Sequence, residues 1–106
     1  MIRVEFRKDK KGNFLYLKLT GHSPGNLGKK GENLLCAGVS VLAQSLGLFF
    51  KKRNKLEFIH IRDGFLEFQL VKGSSDSNLG FELTLEGISD LQSQYPDSIE
   101  IYDIGE

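Results

Sequence analysis

The 106-residue sequence holds one cysteine, two histidines, two prolines and no tryptophan, and its fourteen basic residues equal its fourteen acidic ones. A lone cysteine excludes an internal disulfide, and with only two histidines beside it there is no set of ligands for a structural zinc site. A formal net charge of zero excludes an overall field that would draw the chain onto nucleic acid or an anionic membrane, so charged recognition must be local. No apolar run approaching the roughly twenty residues of a membrane span is expected. The start, Met1-Ile2-Arg3-Val4-Glu5, lacks the apolar core of a signal peptide. The cytosol is therefore the expected location, with no membrane partner, metal or cofactor. What the chain does have is 40% apolar residues, enough to close one core in a single domain over residues 1–106.

Period-two alternation opens the chain. Ile2, Val4 and Phe6 alternate with Arg3, Glu5 and Arg7, and after Asp9-Lys10-Lys11-Gly12 the pattern resumes through Leu15-Tyr16-Leu17-Lys18-Leu19, which reads as a hairpin. Pro24, Gly25, Gly28 and Gly31 then mark residues 21–31 as a loop. Leu35, Val39, Leu42, Leu46 and Phe49 recur at helix-face spacing, and Asn33 reads as the N-cap of a helix reaching about Arg53. Beside that stripe runs a ridge of small residues, Cys36, Ser40, Ala43 and Gly47, where another backbone or a ligand can approach closely.

Asp63-Gly64 is a two-residue hairpin signal inside Leu56–Val71, and it predicts Ile61 opposite Leu66, Ile59 opposite Phe68 and His60 opposite Glu67. A polar loop is expected over residues 73–78, a second helix over residues 79–94, ending before Pro96, and a last strand over residues 98–104. The order ββαββαβ predicts an α+β fold, a mainly antiparallel sheet packed with two helices.

If Asn33 caps the helix, Cys36 is its third residue, within the turn whose N–H groups and positive dipole end suit a thiolate. A thiolate beside a histidine is the arrangement for attack on an acyl carbon, with the imidazole taking the thiol proton and returning it to the leaving amine. His22 ends the strand before the loop and Cys36 starts the helix after it, so the two can meet while the loop bulges outward. Composition and spacing alone leave Cys36 either packed as a small hydrophobe or reactive. His60 has a sufficient partner in Glu67 and is left outside the site.

Gly21-His22, the glycine-bearing loop and Gly31-Glu32-Asn33-Leu34-Leu35-Cys36-Ala37-Gly38-Val39-Ser40 closely resemble the signature of the ribosomal-processing cysteine proteases. The resemblance extends through both hairpins to Gly80-Phe81-Glu82, Leu91 and Tyr95-Pro96. It implies an endopeptidase that removes an N-terminal extension from a large-subunit ribosomal protein precursor, cutting behind an aromatic residue, with Cys36 as nucleophile and His22 as base. It also implies a homodimer and a gate formed by the loop over residues 23–32. The acid usual in the family three residues before the cysteine is replaced here by Asn33, with Glu32 beside it, and the loop is about two residues longer. Asn33, Glu32 and Ser40 are the expected supporting residues.

Two other readings compete. Gly25-Asn26-Leu27-Gly28-Lys29-Lys30 superficially resembles the loop of KH domains, which would make the chain an RNA- or ribosome-binding module. That loop joins two helices, whereas this one follows a strand, and no direct nucleic-acid contact is expected. The third reading is a catalytically inactive relative.

Overall fold

Alternating side chains build the sheet. β1 (Ile2–Lys8) and β2 (Phe14–Thr20) pair antiparallel with Val4 opposite Leu19 and Phe6 opposite Leu17. Their connection is held by Asp9, whose Oδ1 accepts from the N–H groups of Lys11 at 2.9 Å and Asn13 at 3.0 Å, an Asx-type turn. The computed structural model describes residues 1–21 and 30–105, the side chains of residues 30–33 excepted.

β3 (Leu56–Arg62) and β4 (Phe65–Leu70) form the hairpin set by Asp63-Gly64, with Ile61 on Leu66, Ile59 on Phe68 and His60 on Glu67, as the turn requires. β4 pairs antiparallel with β2, and the last strand, β5 (Ile99–Asp103), lies parallel to β1. The sheet order is β3-β4-β2-β1-β5, so the expected α+β order and mainly antiparallel sheet are present.

α1 (Lys30–Lys52) and α2 (Ser75–Gln94) pack on each other and on one face of this sheet. Leu35, Val39, Ala43, Leu46 and Phe50 of α1 and Phe81 and Ile88 of α2 close the core over Val4, Leu17, Leu66, Phe68 and Ile99. Small residues let the two helices approach. A Cβ on Gly80 would lie 2.9 Å from Leu46 Cδ1, and one on Gly87 would lie 3.0 Å from Leu42 Cδ1. The other sheet face carries a polar lattice in which Arg7 donates to Gln69 at 3.0 Å and Tyr16 donates to Glu67.

Three expectations need correction. α1 begins at Lys30 rather than after an Asn33 cap, so the loop expected through residue 31 ends earlier. α2 begins at Ser75, within the stretch read as a polar loop. Ser74 caps it by accepting from the Ser77 N–H at 3.1 Å, while Ser77 Oγ accepts from the Ser74 N–H at 3.0 Å. And Leu34–Lys52, 19 residues of mean hydropathy 1.6, is long and apolar enough to cross a membrane. Core helices pass the same test of length and composition, and here the stripe from Leu35 to Phe50 is buried against the sheet.

Candidate active site

Burial of Leu35 and Val39 fixes the rotation of α1 and leaves Cys36 and Ser40, one turn apart, half-buried at the flank of the core stripe. Both open onto a cavity of about 480 Å³ between α1 and the end of the β3–β4 hairpin. Cys36, Ala37, Ser40 and Gln44 form its helical wall, Ile61 to Leu66 the hairpin wall, and Leu19 and Gly21 the end of β2. The side chains at the hairpin wall are mixed: Ile61, Phe65 and Leu66 are apolar, Arg62 and Asp63 charged.

Gly21 has a physical requirement. Its φ is +88°, and a Cβ there would lie 2.2 Å from the Met1 carbonyl oxygen. Only glycine satisfies both conditions without displacement. The residue before His22 is thus fixed at the cavity wall, on the same cavity as Cys36.

The expected site residues divide as follows. Cys36 and Ser40 share the cavity. His22 and the loop residues 23–29 lie outside the described residues, as do the side chains of Glu32 and Asn33, whose backbones belong to the first turn of α1. Starting at Lys30 makes Cys36 the seventh helical residue. The N–H groups left over by an α-helix belong to its first four residues, so they do not reach the thiol, contrary to the expectation built on an Asn33 cap.

Residues of the cavity that the sequence did not assign to the site include Gln44, Arg62 and Asp63, the last marked only as a turn residue. Gln44 carried a usable signal, since it continues the i, i+4, i+8 row from Cys36 and Ser40. The small ridge divides there, with Ala43 fully buried and Gly47 pressed onto Ile59 and Phe68. His60 pairs with Glu67 and stacks on Phe58, ring centroids 5.3 Å apart, away from the cavity wall. Among the described residues there is no group of three His, Cys, Asp or Glu that could hold a metal ion.

The model of the family described as cysteine protease Prp matches residues 1–100. Among solved structures, the fold is similar to that of the ribosomal processing protease Prp of Staphylococcus aureus in complex with a substrate peptide (18% identity, TM-score 0.80). It is similar also to the same protease with a covalently linked product peptide (19% identity, TM-score 0.78). Both alignments cover the whole of each chain. A protein of Streptococcus mutans is 24% identical with a TM-score of 0.78, covering 100% of this chain and 96% of its own. No curated protein matches.

Proposed function

From its membership of the cysteine protease Prp family, to which this chain belongs, we propose that Cys36 and His22 cleave a peptide bond that releases an N-terminal extension from a large-subunit ribosomal protein precursor. His22 takes the Cys36 proton, the sulfur attacks the scissile carbonyl carbon, and the tetrahedral intermediate collapses as the imidazolium protonates the departing amine. The same imidazole then draws a proton from water, which attacks the thioester and restores the thiol. No metal or cofactor is required.

The observation that carries this reading is that the sole cysteine opens onto a cavity whose wall also contains Gly21, the residue bonded to His22. Glu32 and Asn33, four and three residues before Cys36 in the sequence, are the proposed supports of the imidazole. Ser40 and Gln44 supply polar contacts along the same wall. The proposed enzyme works in the cytosol as a homodimer. Supporting self-association, Leu34, Val41 and Leu48 stand seven residues apart on α1 with 73%, 62% and 41% of their surface exposed, an apolar strip of the kind that marks interaction surfaces.

The test is cleavage of the extended precursor followed by mass spectrometry. The wild type should release the extension. Cys36→Ala should abolish cleavage, and His22→Ala should slow it by a factor on the order of 10²–10⁴. Cleavage by Cys36→Ala at the wild-type rate would refute the reading.

A further inference from the structure

The sheet has two edges of unlike character. The β5 edge is five residues long and carries Glu100 and Asp103, and the Ile99 carbonyl accepts from Gln92 Nε2 at 3.1 Å. The β3 edge is seven residues long, and its Ile61 is 43% exposed at the wall of the cavity that holds Cys36. One edge is short, acidic and partly capped. Among the described residues no strand pairs with the other, which lies beside the thiol.

The register fixes which backbone groups of β3 are on offer. Arg62 and Phe65 flank the two-residue turn and pair directly, as do His60 and Glu67. In a hairpin of this kind those residues exchange hydrogen bonds with β4, and the alternate residues, Ile59 and Ile61, direct their N–H and C=O groups outward. A strand laid along that edge would be hydrogen-bonded to Ile59 and Ile61 and would face the flank of α1 with every second side chain.

Helix and strand periods match along this groove. Cys36, Ser40 and Gln44 advance by four residues, about 6 Å per step on a helix, and a strand advances about 6.7 Å per two residues. On an extended segment whose reacting carbonyl lay at Cys36, this spacing would set Ser40 and Gln44 against successive inward side chains.

We propose that the peptide substrate docks as a sixth strand on the outer edge of β3, bonded to Ile59 and Ile61, with alternate side chains read by Ser40 and Gln44. The inference rests on the peptidase reading above and assigns the recognition mode of that same site. Main-chain bonding gives affinity for any extended segment, and the inward side chains give selectivity.

The experiment uses Cys36→Ala protein and synthetic peptides spanning the extension junction of the ribosomal protein, each N-methylated at one backbone nitrogen, with binding measured by calorimetry. N-methylation at alternate residues should weaken binding about tenfold, and at the intervening residues less than about twofold. The unmodified peptide should slow hydrogen exchange at the Ile59 and Ile61 amides. Binding without a two-residue alternation, or with unchanged exchange at Ile59 and Ile61, overturns the edge-strand proposal and leaves the peptidase standing. Failure of the wild type to cut the unmodified peptide and the precursor overturns the peptidase reading itself, and the edge-strand proposal with it.

Discussion

The Gly21 N–H donates to the Gly64 carbonyl at 3.0 Å, tying the residue before His22 to the turn that closes the opposite wall of the cavity. This bond continues the β2–β4 ladder beyond Thr20 and Phe65, and it holds Gly21 at φ +88° against the Met1 carbonyl. The backbone of Gly21, the residue bonded to His22, is therefore held by the fold.

Gly21→Ala should destabilise the protein by about 2 kcal/mol, combining the left-handed backbone penalty with displacement of Met1. Urea unfolding measures the loss. Peptidase activity, assayed where the variant is fully folded, should also fall, because Gly21 forms part of the wall of the cavity that holds Cys36. Wild-type activity in a destabilised variant would show that the Gly21 geometry serves the fold alone.

Gly47 sets how closely α1 lies on the β3–β4 hairpin. A Cβ there would lie 2.9 Å from Ile59 Cδ1 and 3.1 Å from Phe68 Cδ2, and Phe68 is fully buried. Gly47→Ala gains up to about 1 kcal/mol of helix propensity against this crowding, so a net change within about 1 kcal/mol is expected. Gly47→Leu has no such room and should cost about 2 to 3 kcal/mol as α1 is levered off the sheet. Denaturation midpoints of the two variants separate the effects.

The sequence made much of this legible because local rules and tertiary packing agree. Asp63-Gly64 dictated the β3–β4 register, and the stripe from Leu35 to Leu46 located α1. Helix starts were less legible, for a physical reason. Capping groups are the same polar residues that mark loops, so Ser74 and Ser77 read as loop although each satisfies the other's backbone. Lys30 and Gly31 carry no apolar periodicity, so α1 gave no sign of starting before Asn33. The two halves of the candidate site differ likewise: the Cys36 row was written along one helix, whereas Ile61, Arg62 and Asp63 reach the cavity only through sheet order. Tertiary polar contacts are equally hidden, as where Asn78 Oδ1 accepts from the Phe14 N–H at 2.8 Å and Asn78 Nδ2 donates to Asn13 Oδ1 at 2.9 Å.

The reciprocal cap of α2 is open to direct measurement. Ser74→Ala removes the acceptor of the Ser77 N–H and should cost about 1 kcal/mol, whereas Ser74→Asp should retain most of the stability, since a carboxylate accepts the same bond and suits the helix N-terminus. Equal losses in the two variants would assign the role of Ser74 to something other than capping.

Tyr16 and Glu67 link β2 to β4 across the outer face of the sheet, with the phenol donating to Glu67 Oε2. Burial first, then the hydrogen bond to Glu67 and the negative charges of Glu67 and Glu5, push the Tyr16 phenol well above its ordinary range, and Arg7 opposes them weakly. A phenol whose folded value exceeds its unfolded one of about 10 contributes stability that is complete below pH 10. That contribution is lost as pH rises from there towards the folded value, because the unfolded chain gives up its proton first. Stability measured by urea at pH 8 and pH 11 should therefore fall in the wild type, and by less in Tyr16→Phe, which has no phenol to ionise. Near neutral pH the same variant should lose about 1 kcal/mol, the worth of one partly exposed hydrogen bond to a carboxylate. In an ultraviolet alkaline titration, Tyr16→Phe should remove the last tyrosine to ionise. Survival of that late step would show that it belongs to another tyrosine and that the Tyr16 phenol is not held so far above its ordinary range.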